Sequence, residues 1–226
     1  MDGLMTAVAA WRTFIAENGL DFVAAFEVTL RISAMAIVGG VILGFTVELA
    51  RRSMRWARGP LTCYVEFFRG TPLLIQLFLL YYGGPQVGLV LDAEPAGILG
   101  MALYAGAYFA EIFHAGFASI PAGQREAAVS LGIRPWRRLW RIELPQMAPL
   151  VLPPGVNQSI TLIKDSAMLS IITVGELTKT ATRIMNASFE IVMPLCLLAL
   201  LYWIISEAVA TLCRGAEARL SRHLTR

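Results

Sequence analysis

The chain has 226 residues, of which 57% are hydrophobic and 15% charged, with a mean hydropathy of +0.63 and a formal net charge of +3. A soluble monomer of that composition would expose more contiguous apolar surface than such proteins carry, and a disordered chain would hold far less apolar mass. The numbers select a polytopic membrane protein and argue against a nucleic-acid binder, in spite of a pI of ≈ 8.9.

In chain order, Leu4, Val8, Trp11 and Ile15 recur at helical spacing, and Asn18-Gly19 is a plausible stop. With a tryptophan on the apolar stripe, residues 1–20 read as a helix lying on the outer interface. A frayed leader is the alternative. The segment has no basic region ahead of an apolar run, so it is not expected to be a cleavable secretory signal. A bilayer-crossing helix needs about 20 mostly apolar residues. Five segments qualify, near 22–50, 60–82, 96–119, 146–174 and 190–213. Gly40 and Gly44 form a GxxxG in the first, and Ala102, Gly106 and Ala110 recur every fourth residue in the third. Such rows let backbones approach closely, within one subunit or between two. Cys63, Cys196 and Cys213 lie far apart, with no CxxC pair and no metal-ligand spacing, and read as small hydrophobes.

Orientation follows from the cations. Four arginines sit after the first segment, five after the third and four in the tail, which puts thirteen of nineteen Lys+Arg on one side. The expected topology has the N-terminus outside, the C-terminus in the cytoplasm and about five transmembrane helices in an all-α fold.

Several charges fall at membrane depth, where they face a bundle interior or a wet cavity. In the second segment Glu66 and Arg69 are one turn apart and suited to pairing, Gly70-Thr71-Pro72 interrupts the helix, and Gln76 lies two turns beyond Arg69 on a similar face. Tyr104, Tyr108 and Glu111 share a face of the third. In the fourth, Asn157, Gln158, Thr161, Lys164 and Asp165 make overlapping polar stripes beside the Pro153-Pro154-Gly155 interruption. One reading is a solute pathway; the other is a structural clamp in which Lys164 pairs with Asp165 or Glu111. Acids, a cation and amides suit the ammonium and carboxylate of a zwitterion, and other polar solutes as well.

Residues 121–149 are too long for a hairpin connection. Gln124 to Leu131 holds good helix formers, and Gly132 is a left-handed stop. Pro135 suits the first turn of a second helix, with Trp136, Leu139 and Trp140 on one face and Arg137, Arg138 and Arg141 on the rest, and Pro145 closes it. The tryptophans and arginines fit an interfacial anchor. The first helix, with Glu126 and two alanines, suits a knob in a partner's groove.

Glu126-Ala127-Ala128, Gly132 and Ile142-x-Leu144-Pro145 resemble the EAA loop of ABC-importer permeases. Tyr64 to Leu74 (YVEFFRGTPLL) is similar to the second-span signature of the polar amino-acid branch, and Gly106-Ala107-Tyr108-x-x-Glu111-Ile112 to its third-span motif. Asn157-Gln158, Lys164-Asp165-Ser166 and Gly175-Glu176-Leu177-Thr178 extend the likeness over about residues 25–220. His114 and Ser166 depart from it, standing where relatives often carry arginine and threonine. The resemblance implies a type I transmembrane domain spanning 1–226, with 121–145 as a cytoplasmic coupling loop. It implies a multi-pass permease of the bacterial inner membrane that forms the pathway as a dimer with a second copy or a paralogue, set in membrane lipid. An extracytoplasmic solute-binding protein would deliver substrate, and two ATP-binding subunits would use ATP and Mg. Coupling would then fall to Glu126, Ala127, Ala128, Leu131, Gly132 and Pro145. The chain itself has no GxxxxGK[ST] phosphate loop, so no cofactor, metal site or catalytic residue is expected in it. Rival readings are a passive channel or secondary transporter, which leaves the loop unexplained, and an intramembrane hydrolase using His114 and Ser119, which lacks an orienting third group.

Overall fold

The computed structural model describes residues 2–221, and no strand occurs among them. Among the described residues nine α-helices follow in order: α1 Asp2–Ser53, α2 Arg58–Gly70, α3 Leu73–Phe78, α4 Ala93–Ala118, α5 Ala122–Ser130, α6 Pro135–Arg138, α7 Leu144–Asp165, α8 Leu177–Ser188 and α9 Val192–Ser221. A π turn, Leu79–Gly83, extends α3; another, Leu139–Glu143, joins α6 to α7; a 3-10 helix, Ser166–Ile172, follows α7.

Three helical segments are long and apolar enough to cross a membrane: Val8–Ser53, Ala93–Ala118 and Val192–Gly215. There are four if the broken pair Arg58–Gly70 and Leu73–Val87 is one span. The fourth expected segment, near 146–174, corresponds to α7, whose 22 residues hold four prolines and the polar stripe. The stop expected at Asn18-Gly19 does not occur, because α1 runs through both residues. Asn18 turns its side chain back along the helix, donating from Nδ2 to the Phe14 carbonyl at 3.1 Å. Nor does Pro145 close a helix. The π turn widens the backbone immediately before it, where its ring and missing N–H would otherwise disrupt an α turn. Pro149, Pro153 and Pro154 lie inside α7, so the expected interruption falls later, where the helix tightens at Ser166.

The helices sort into two compact units whose boundaries fall inside α1, α4, α7 and α9 and at the break between α2 and α3. One comprises Met1–Ala36, Leu73–Met101 and Leu162–Glu207. Its buried side chains include Phe22 and Ile32 of α1, Leu77 of α3, and Leu177 and Ala181 of α8. Glu176 caps α8: Oε1 accepts from the Lys179 N–H at 2.7 Å, and Oε2 accepts from the Thr178 N–H at 2.8 Å and the Tyr202 hydroxyl at 2.9 Å. The buried carboxylate is satisfied by donors on two helices, which is what allows it to be buried. Arg31 of α1 pairs with Glu94 of α4 at 2.8 Å.

The other unit comprises Ile37–Pro72, Ala102–Thr161 and Ala208–Arg226. Here the GxxxG of α1 meets the small-residue row of α4 within one chain. A Cβ on Gly40 would lie 2.6 Å from the Ala105 Cβ, and one on Gly44 would lie 2.7 Å from the Ala110 nitrogen and 2.8 Å from the Gly106 oxygen. In lipid, backbone approach of this kind replaces the hydrophobic driving force as the source of helix association. The Tyr64 hydroxyl of α2 donates to the Leu103 carbonyl of α4 at 2.6 Å. At the loop end, Phe117, Ile120, Leu139 and Met147 form a core packed by Phe45 and Leu49.

Gly44→Val should destabilise the protein by about 1–3 kcal/mol through overpacking. Gly59→Ala, with nothing within 4 Å of its Cβ, should leave the melting curve in place. Thermal melts of the two purified variants in the same detergent compare them.

Candidate functional site

The loop after α4 is built from local chain chemistry. Pro121 opens α5, with the Gln124 N–H donating to its carbonyl at 3.0 Å. At the other end Gly132 adopts φ 66°, which an L side chain takes only with strain. The Gly132 N–H donates to the Val129 carbonyl at 2.9 Å and the Ile133 N–H to the Ala128 carbonyl at 3.0 Å, the paired bonds of a Schellman stop. The reversal leaves one face of α5 bare. Glu126 and Ala127 are exposed, with Val129 61% and Leu131 77% exposed. Ala128 is different: at 2% exposure it packs inward and is unavailable to a partner. Trp136 and Trp140 stack edge-to-face at 5.3 Å on the outside, whereas Leu139, expected on their face, is buried in the loop-end core.

What fixes the loop is Glu143, which is 2% exposed. Arg52 of α1 reaches its Oε2 at 3.3 Å; Arg138 of α6 and Arg125 of α5 reach its Oε1 at 3.3 and 3.6 Å. The Arg52 guanidinium lies 3.8 Å above the Phe117 ring, and Arg125 donates to the Phe117 carbonyl. One carboxylate thus ties the end of α1 to both loop helices and to α4. It occupies the unassigned position in Ile142-x-Leu144-Pro145. A lone acid after five closely spaced arginines was the available signal, and spacing rules gave it no role.

A cavity of ≈ 630 Å³ lies in the same unit, lined by the loop-side half of α4, α7 and Arg69 of α2. Of the ten expected pathway residues, six line it: Arg69, Tyr108, Glu111, Asn157, Gln158 and Thr161. Glu66 is exposed outside it, Gln76 is buried in α3, and Lys164 and Asp165 lie beyond its lining. Arg69 does not take Glu66 as its partner; its Nη1 is 3.6 Å from Glu111 Oε2. Glu111 Oε1 is held by Arg51 at 2.7 Å. Arg51 leads on to the buried Glu48 at 3.8 Å, whose Oε1 lies 3.0 Å from His114 Nδ1. The expected clamp on Glu111 is therefore made by arginines of α1 and α2, not by Lys164. Arg51 closes α1 sixty residues before Glu111, a separation at which sequence spacing pairs nothing. Arg69 keeps a half-exposed side chain, and its cation lies 5.7 Å from the Tyr108 ring centre. Gln158 Nε2 is buried without a hydrogen-bond partner. The wall thus offers a cation, an acid, amides and a hydroxyl at one opening. Among the described residues, no group of three or more His, Cys, Asp or Glu is placed to hold a metal ion.

The family of binding-protein-dependent transport system inner membrane components matches residues 36–222. The probable amino-acid ABC transporter permease protein YckA of Bacillus subtilis (strain 168) is 36% identical over 200 residues, covering 87% of each chain. The L-cystine transport system permease protein TcyB of the same organism is 34% identical over 203 residues, covering 88% of this chain and 86% of its own. A crystal structure of an amino acid ABC transporter with histidines superposes with a TM-score of 0.83 at 31% identity, covering 92% of this chain and 97% of that one. An inward-facing methionine ABC transporter, MetNI, shares the fold at 22% identity and a TM-score of 0.68, covering 86% and 95%.

Replacing Glu143 with alanine would leave three guanidinium groups facing one another. The loop should lose about 1–3 kcal/mol of local stability, the scale of an unpaired polar contact. Hydrogen–deuterium exchange over residues 122–143 should rise while that over α9 stays unchanged.

Proposed function

This chain belongs to the family of inner-membrane components of binding-protein-dependent transport systems and is the permease subunit of an ATP-driven importer, and from that premise we propose that its solute is a polar amino acid or a close relative held in the Arg69–Glu111 cavity. Members of the family work with ATPase subunits, a second permease and a solute-binding protein. Here the proposal is two ATPase subunits, which carry the ATP and Mg chemistry, and a dimer with an identical or similar permease. The helices cross the inner membrane about five times, with the N-terminus outside and the loop and C-terminus in the cytoplasm. The cation count on the loop side supports that orientation.

Two tasks divide between two places. The bare face of α5 is a handle for the ATPase: Glu126 supplies charge, Ala127 allows close approach, and Val129 and Leu131 supply apolar area. Gly132 and Pro145 act indirectly, by setting the turn and the path into α7, and the inward-facing Ala128 does so by packing. Closure of the ATPase pair moves the handle and switches access to the cavity.

The observation that carries the solute reading is the cavity chemistry. Arg69 suits a carboxylate and Glu111 an ammonium, while Asn157, Gln158 and Thr161 suit the remaining polar atoms. Relatives point the same way: YckA is a probable amino-acid permease and TcyB an L-cystine permease. Glu66, one turn before Arg69 on α2, extends the polar track; Lys164 and Asp165 continue the polar stripe of α7 itself, and Gln76 is left to packing. A passive channel or secondary transporter would leave the bare helix without a task.

Glu126→Lys and Gly132→Val should each cut solute-stimulated ATP hydrolysis about tenfold or more, the effect of losing a charged contact or straining a turn. Normal coupled hydrolysis in both variants, assembled and reconstituted with their partners, would refute the handle. Arg69→Gln should raise the amino-acid concentration for half-maximal uptake into proteoliposomes about tenfold or more. An unchanged value would remove Arg69 from the solute site.

A further inference from the structure

A second recess, of ≈ 330 Å³, opens beside the loop and is lined by Leu49, Arg52, Ser53, Pro135, Trp136, Arg138, Leu139 and Glu143. Neither the solute cavity nor the bare face of α5 contributes to it. We propose that this recess binds the phosphate of an anionic phospholipid headgroup.

Three observations converge. The first is position: Leu49, Arg52 and Ser53 are the last turn of the apolar segment Val8–Ser53, where apolar sequence gives way to Arg51, Arg52, Arg55 and Arg58, the kind of boundary that meets an acidic membrane surface. The second is charge. Three arginines surround the single carboxylate of Glu143, so the cluster carries a surplus of two positive charges, and Arg52 and Arg138 remain about one quarter exposed at the recess. Both walls therefore hold partly exposed guanidinium groups whose N–H donors Glu143 alone does not fully use. The third is the rim. Trp136, 65% exposed, lines the recess and stacks on the half-exposed Trp140, the amphipathic ring pair that settles at a membrane interface. A basic pocket at a helix end on the positive side of a bilayer is suited to an acidic headgroup, with phosphate oxygens accepting from arginine and the glycerol region against the indole. Held there, the lipid completes the charge balance that Glu143 leaves unfinished and braces α6, and so α5, against the end of α1.

The site follows from membrane placement and not from the identity of the solute, so it stands or falls apart from the cavity reading. The test uses the assembled importer in phosphatidylcholine nanodiscs with and without phosphatidylglycerol. Spin-labelled phosphatidylglycerol reports the immobilised fraction, and spin-labelled phosphatidylcholine serves as reference. The native protein should prefer the anionic lipid. Arg138→Gln, which leaves Glu143 with two arginines, should lower that preference about fivefold, the share of one arginine near a surface. Arg137→Gln removes an exposed arginine of the same helix that does not line the recess, and it should keep the preference. Equal loss in both variants would reduce the effect to general surface charge and overturn the site. Displacement of the labelled lipid by inorganic phosphate would make the occupant a free anion and overturn the lipid assignment. No preference in the native complex, or ATPase subunits lost from Arg138→Gln to the same extent in both lipid compositions, would likewise overturn it, the latter by assigning the recess to a protein contact.

Discussion

Electrostatic repulsion is the constraint that the loop end of this molecule has to satisfy. Arg52, Arg125 and Arg138 crowd the place where α1, α4 and the loop helices converge. A buried Glu143 shared by Arg52, Arg125 and Arg138 resolves the conflict. Arginine suits the task because its flat cation can pair on one edge and lie on an aromatic face at the same time, as Arg52 does over Phe117. The acid therefore does more than neutralise charge. It fixes the base from which α5 projects, and a projecting helix transmits force only if its base is held.

A parallel arrangement governs the cavity. Glu111 is claimed by Arg51 on one oxygen and approached by Arg69 on the other. Arg51 is nearly buried and shared with Glu48, so its hold is structural. Arg69 is half exposed and looks into the opening. The two arginines thus differ in role through burial alone. A solute carboxylate would compete for Arg69 without disturbing Arg51, and the wall would keep its shape while its charge is redistributed.

Much of this was legible in the sequence because it rests on local chemistry. Apolar runs located the long helices, Gly70-Thr71-Pro72 located the break after α2, and Gly132 announced its left-handed turn. Five of the six expected residues that line the cavity share a face of α4 or of α7, because i, i+3 and i+4 spacing is a geometric certainty once those helices form. Tertiary partners were not legible. Glu66 is one turn from Arg69 yet loses it to Glu111, forty-odd residues away, because the helix that brings Glu111 close is invisible to a local rule. Pro145 looked like a stop because sequence reading knows only α turns, and a π turn made room for it. Asn18-Gly19 looked like a stop because the asparagine's own bond to Phe14 could not be foreseen. Glu143 has no role in the sequence reading and Glu176 appears there only within a family motif, since a single acid carries no periodicity, although each gathers donors from more than one helix.

The prolines of α7 set a mechanical contrast within the wall of the cavity. Pro149, Pro153 and Pro154 remove three amide donors from six consecutive positions, so the helical ladder there is missing rungs and the carbonyls opposite are free to swing. The neighbouring α4 has the reverse character, since Gly40 and Gly44 seat α1 against it with no slack for sliding. One jamb of the doorway is rigid and the other compliant. Deformation passing up from the loop would be absorbed by bending α7, and the aperture would change width on one side only.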